Sequence, residues 1–283
     1  MNENNIYRLD RGKTNKGNIK WKPGQKEKIV ELYTQGNSIT QLKKKFGGLH
    51  YNTTTRILKE AGIELRTRSQ SKMTYQKNSS IFKNITSKEQ AYWLGVLAAD
   101  GFIGREADGS GANVIKLIMK DEDVVVKFKN FIKIDKRIDK INDTYYQLAF
   151  QDKEMAIDLV SLGLFNNKSL VLKPPKINDN LIPHFIRGYF DGDGGVSYNQ
   201  KEDKLTYYFT GTLEIVEWIH SFLKTDAKIR KEHNAGENNT WRFATSGINM
   251  IKDLYNFIYT DSTQESRMDR KYSIITQYLN SKI

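Results

Sequence analysis

The sequence predicts an α+β fold: two αββαββα repeats related as pseudo-twofold copies, preceded by a small all-α module. Three observations predict it. Residues 93–101 (WLGVLAADG) and 186–194 (IRGYFDGDG) both read as apolar helices with small residues four apart that end in Asp-Gly. The same order of strand-like and helix-like segments follows each of them, and an internal repeat with few identities but one element order indicates a duplicated unit. The basic charge, finally, is confined to a segment ahead of the repeats.

That charge is unevenly placed. The chain has a net charge of +12, yet residues 1–80 hold 17 Lys and Arg against 6 Asp and Glu, which leaves the remainder near neutral. Local positive charge of this kind favours a polyanionic partner, nucleic acid before an acidic membrane. The chain has no cysteine, which excludes disulfides, thiolate metal sites and cysteine nucleophiles. No apolar run reaches membrane-spanning length and no signal-peptide core is present, so an intracellular setting is expected: a bacterial or phage-infected cytoplasm, or an organelle.

Residues 1–21 are polar and read as a disordered basic tail. A helical pattern begins near Gln25, with Ile29, Val30, Leu32 and Tyr33 on one face and Gly36 as a left-handed stop. Ser38 and Gln41 have capping-box spacing for a second short helix, Gly47-Gly48 supplies a turn, and a third helix is expected over residues 51–61. Residues 22–65 therefore resemble the helix-turn-helix of recombinases and sigma-like regulators. Asn52, Thr53, Thr54, Arg56 and Lys59 are the expected base- and backbone-reading residues, with Lys43, Lys44 and Lys45 meeting phosphates. Residues 66–86, carrying Arg66 and Arg68, read as a basic linker that also tracks DNA.

The first repeat is expected over residues 87–178 and the second over 179–283. Gly95 and Ala99, like Gly188 and Gly192, lie four apart and so share one helix face. Small side chains at that spacing let two helix backbones approach, which would bring Asp100 and Asp193 side by side. Carboxylates so close repel unless a cation neutralises them, and an all-oxygen donor set suits Mg2+ or Mn2+. Arg187 is expected to point away from that face, as a surface or salt-bridge residue. His220, among apolar neighbours, is expected to be structural.

The two nine-residue stretches closely resemble the paired signature of the LAGLIDADG homing endonucleases, in the form that carries both motifs in one chain. The resemblance implies a β saddle that straddles double-stranded DNA, a long specific site, a monomer and intron homing. It implies that Asp100 and Asp193, at the eighth motif position, are metal ligands and catalytic. It further implies a lysine near each metal, matched here by Lys168 and Lys271. Lys120, after the second strand of the first repeat, falls where relatives carry a polar residue facing the site; its counterpart is Gly211. Two other functions occur on such scaffolds: a non-catalytic transcriptional regulator and an intron RNA maturase.

Overall fold

In the computed structural model, which describes residues 7–11, 19–35, 37–47, 49–66, 77–232 and 239–282, the chain divides into two units, Met1–Gln76 and Lys77–Ile283. The first holds helices α1 (Gln25–Thr34), α2 (Ile39–Lys45) and α3 (Tyr51–Glu60). The capping box forms as the spacing requires: Ser38 Oγ accepts from Gln41 N at 3.2 Å, and Gln41 Oε1 accepts from Ser38 N at 2.7 Å. Ile29, Leu42, Phe46, Leu49 and Leu58 are fully buried between the three helices.

Three expectations for this unit need correction. Within the expected disordered tail, β1 (Asp10–Arg11) pairs antiparallel with β2 (Ile19–Lys20). Tyr7, Leu9, Ile19 and Trp21 pack on the helical core, with the Tyr7 ring 5.3 Å from that of Phe46. These four apolar side chains are too widely spaced to show a period, yet they cover one end of a small core. Thr54, expected at DNA, is fully buried and donates to His50 O at 3.0 Å, because it falls on the apolar side of α3 with Ile57 and Leu58. Arg66 turns back onto the unit: its guanidinium lies 4.0 Å from the Tyr33 ring centroid and donates to the carbonyls of Tyr33 and Asn37. Gly36, Gly48 and Arg68 lie outside the described residues.

The second unit starts earlier than expected. Lys77 is buried against Asp152 at 3.4 Å, and Phe82 is buried 5.9 Å from the Phe131 ring, so residues 77–86 belong to the body rather than to a linker. Two repeats then follow in the expected order. The first is α4 (Lys88–Asp100), β3 (Gly101–Arg105), β4 (Gly111–Met119), α5 (Glu122–Phe131), β5 (Asp139–Lys140), β6 (Tyr146–Gln151) and α6 (Lys153–Ser161). The second is α7 (Ile182–Asp193), β7 (Gly194–Asn199), β8 (Lys204–Gly211), α8 (Leu213–Phe222), β9 (Arg230–Lys231), β10 (Trp241–Ser246) and α9 (Ile248–Tyr259). Each repeat forms a four-stranded antiparallel sheet, β3-β4-β6-β5 and β7-β8-β10-β9, with identical strand order. A further helix, α10 (Asp269–Asn280), closes the second repeat, whereas the first ends in a single 3-10 turn over Lys168–Leu170.

The α4–α7 pair organises both repeats. Residues 91 to 98 of α4 are all buried, so the helix has no polar face and reads as a core element. A Cβ on Gly95 would lie 2.1 Å from Phe185 O, and one on Gly188 would lie 1.9 Å from Tyr92 O. Backbone therefore touches backbone at both places, and only glycine permits it. Ala99 meets Gly192 one turn further along, where an added Cβ on Gly192 would lie 2.3 Å from that of Ala99.

Replacing Gly188 by alanine should force the helices apart and destabilise the protein by about 1–3 kcal/mol, the usual cost of overpacking a filled core. Urea unfolding checks this; an unchanged midpoint contradicts the close backbone approach.

Candidate active site

Both motif helices end at an aspartate. Asp100 is the last residue of α4 and Asp193 the last of α7, and each repeat enters its first strand at the next residue. A helix C-terminus carries partial negative charge, so two carboxylates placed there sit in an unfavourable field and attract cations. The helix packing brings them together: a Cβ on Gly192, next to Asp193, would lie 2.9 Å from Asp100 Oδ2.

Their electrostatics follow from that placement. Burial and the neighbouring Asp100 push the Asp193 carboxyl up to about 6, with Lys168, Tyr189 and Lys271 opposing. Burial also raises Asp100, against Lys271 and Lys168. Protein surrounds Asp100 on most sides, but its side chain stays exposed at the floor of a cleft of about 310 Å³ lined also by Lys120, Asp121, Tyr145, Arg270 and Lys271.

Both expected lysines reach this centre and both are only 4% exposed. Lys168 Nζ donates to Gly101 O, the residue after Asp100, and burial lowers its ammonium while Asp193 and Asp100 hold it up. Lys271 projects from the first turn of α10 and donates to Phe190 O, Asp191 O and Gly194 O at 2.6, 2.8 and 2.6 Å. Burial brings Lys271 down to about 8, against the attraction of Asp191. Lys168 thus binds one backbone carbonyl and Lys271 three at the negative end of a motif helix, while both face the carboxylates.

The two halves differ in their remaining groups. Lys120 is exposed at the cleft, 5.5 Å from the Tyr145 ring centroid. Its counterpart Gly211 has no side chain because Tyr189 occupies that space: a Cβ there would lie 2.3 Å from the Tyr189 hydroxyl, which donates to Thr210 O at 2.9 Å. Arg270 and Asp121 form a two-point ion pair at 2.8 and 2.9 Å on the rim of the cleft. Sequence reasoning misses this pair, since 149 positions separate its members.

Arg187 departs most from expectation. Rather than lying at the surface, it is fully buried, donating to Ser266 O at 2.6 Å and Ile258 O at 2.7 Å, with His184 Nδ1 at 2.9 Å. Carbonyls at the end of α9 and in the turn before α10 satisfy its guanidinium, a role that local spacing on α7 does not reveal. Burial and the Arg187 charge bring His184 down to about 4. His220 is structural as expected, 2.9 Å from Ala227 O and edge-on to Phe243.

In the N-terminal unit, Lys43, Lys44, Lys45, Asn52, Arg56 and Lys59 are exposed and Thr53 is half-buried. On β8 and β10, Tyr207, Phe209 and Phe243 face the core. Arg242 stacks over Tyr208 on the other face, at 3.8 Å.

Among the described residues no cluster of three or more His, Cys, Asp or Glu side chains could hold a metal ion. The two aspartates are hard oxygen donors, and Asp100 raises the proton affinity of Asp193, so the pair fits a cation that takes the rest of its shell from water and phosphate. Among the described residues no helix is long and apolar enough to cross a membrane.

Comparison with known proteins agrees with the motif reading. Residues 181–261 match the family model described as a LAGLIDADG-like domain. Two proteins of Methanocaldococcus jannaschii (strain ATCC 43067 / DSM 2661 / JAL-1 / JCM 10045 / NBRC 100440) are each 26% identical. They are a probable translation initiation factor IF-2, over 65% of this chain and 17% of its own length, and the uncharacterized protein MJ0314, over 54% and 58%. The chain thus spans less than two thirds of either relative. Among solved structures, the I-LtrWI LAGLIDADG homing endonuclease bound to target DNA is similar at 13% identity and TM-score 0.46, over 72% of this chain and 91% of that one. The I-SmaMI LAGLIDADG homing endonuclease bound to cleaved DNA is similar at 13% identity and TM-score 0.45, over 70% and 89%.

The Asp193 shift makes stability depend on pH. Its carboxyl is raised on folding, so its contribution is complete below the ordinary 3.8 and disappears as pH rises through about 6. Metal-free protein should therefore lose melting temperature relative to Asp193→Asn between about pH 4 and 6.5, across the interval set by that shift. A constant difference across that interval contradicts the coupling.

The chain thus carries a LAGLIDADG-like domain over residues 181–261, within the second of two repeats that are each headed by a helix ending in aspartate.

Proposed function

We propose that the protein is a site-specific double-stranded DNA endonuclease of the homing type, dependent on Mg2+ or Mn2+ and acting as a monomer on a long site. One observation carries this reading: two helix-terminal aspartates converge and are flanked by two buried lysines. A bound divalent cation would neutralise the carboxylates and act as a Lewis acid toward a phosphate oxygen. Asp100 and Asp193 would hold it, and both sit at helix ends that favour positive charge.

Lys168 and Lys271 stabilise negative charge as it develops on a phosphate, Lys271 through its charge alone because its three N–H groups are all donated to carbonyls. Lys120 meets phosphate on the Asp100 side, where Gly211 offers nothing in return on the other. The two strands are therefore cut at different rates. The outer faces of the two sheets form the saddle on DNA, with Arg242 among its cations. Exposed basic residues of the helix-turn-helix unit add interactions that lengthen the site.

Cleavage selection on a randomised duplex library with Mg2+, run beside Asp100→Asn and Asp193→Asn, tests this. Cutting by the parent protein alone, through a nicked intermediate, is expected. Enrichment of bound but uncut DNA by all three proteins points instead to a regulator or an RNA maturase.

The basic unit has its own signature. Replacing Lys43, Lys44 and Lys45 by alanine should reduce the slope of log affinity against log salt by about 0.9 for each phosphate left without its cation. An unchanged slope removes these lysines from the interface.

A further inference from the structure

Asp191 is buried at the sixth position of the second motif, where the first motif has Ala98. Its Oδ2 accepts from the Tyr92 hydroxyl at 2.9 Å and from Met268 N at 2.8 Å. Met268 is the N-cap residue of α10, and its own side chain makes no cap hydrogen bond. Asp191 therefore serves as a cap supplied from another helix. A carboxylate there satisfies an amide that the helix leaves unpaired and lies at the positive end of its dipole.

Three residues after Met268, Lys271 returns from the same first turn to the carbonyls of Phe190, Asp191 and Gly194. The end of α7 and the start of α10 are thus clasped twice, once by a carboxylate on an amide and once by an amine on carbonyls. The first repeat has no such arrangement. Ala98 cannot accept a side-chain hydrogen bond, and Lys168 stands in a 3-10 turn after Asn167, whose φ of 58° is left-handed. Among the described residues, the Lys168 amine has Gly101 O as its acceptor.

We infer that Asp191 is a positioning residue for Lys271 alone: it fixes the start of α10 so that this amine stays at the carbonyls of Phe190, Asp191 and Gly194, and it leaves Lys168 unaffected. The link to catalysis rests on the nuclease reading, whereas the placement of the amine does not.

The test labels the full-length protein with an acetylating amine reagent and reads each lysine by peptide mass spectrometry. Asp191→Ala should raise Lys271 labelling by about tenfold or more, as expected for loss of a fixed geometry, with Lys168 unchanged. Asp191→Asn, which keeps an acceptor oxygen, should restore protection. A second pair guards against poor folding of Asp191→Ala: Met268→Pro and Met268→Ala lose the same side chain, but only the proline loses the amide. Lys271 should be more reactive in the proline variant.

Strand-resolved cleavage then asks about function. Asp191→Ala should slow the strand whose cutting Lys271→Met abolishes and spare the strand that depends on Lys168. Protection of Lys271 retained in Asp191→Ala and in Met268→Pro overturns the inference, as does equal exposure of both lysines. Absence of cutting by the parent protein overturns the nuclease reading and leaves the labelling result standing.

Discussion

The close packing of α4 on α7 is the constraint on which the second unit depends. Gly95 and Gly188 let each backbone lie against a carbonyl of the other helix, at Phe185 and Tyr92. Any side chain there would separate the helices, with two consequences. The helices that head the two repeats would no longer touch, and the aspartates at their ends would no longer meet.

The unfavourable charge at the centre follows from the same packing. Two carboxylates at two helix C-termini, Asp193 half-buried and Asp100 exposed on one side but hemmed in by protein on the others, have a raised proton affinity. The protein offsets this with two buried amines, Lys168 bound to one carbonyl and Lys271 to three at the end of a motif helix. The lysines are themselves lowered by burial, so carboxylates and amines stand closer to neutrality than the same groups in water.

The duplication is close in topology and unequal in chemistry. Strand order is identical in the two sheets, yet Lys120 corresponds to Gly211, Ala98 to Asp191, and a 3-10 turn to a twelve-residue helix. Each difference lies at or beside the centre. Packing needs the helix pair and the sheets to match, while the groups around the aspartates can diverge without disturbing them.

The repeat order, the two motif helices, their small-residue face and the capping box at Ser38 are all legible in the chain before it folds. These are local signals: periodicity, spacing over four residues and the chemistry of helix ends. The two lysines are legible through motif resemblance, whereas spacing alone leaves them as surface charges. Arg187 is different, because the carbonyls that bury it lie 71 and 79 positions away. The same holds for Asp191 as a cap for α10, for the Arg270–Asp121 pair, and for Lys77 as part of the body. Burial of Thr54 and the packing of Tyr7 on the helical core are likewise set by neighbours distant in the chain. A polar or charged residue carries no local sign of whether a remote backbone will come to satisfy it, so these positions take their roles only from the folded molecule.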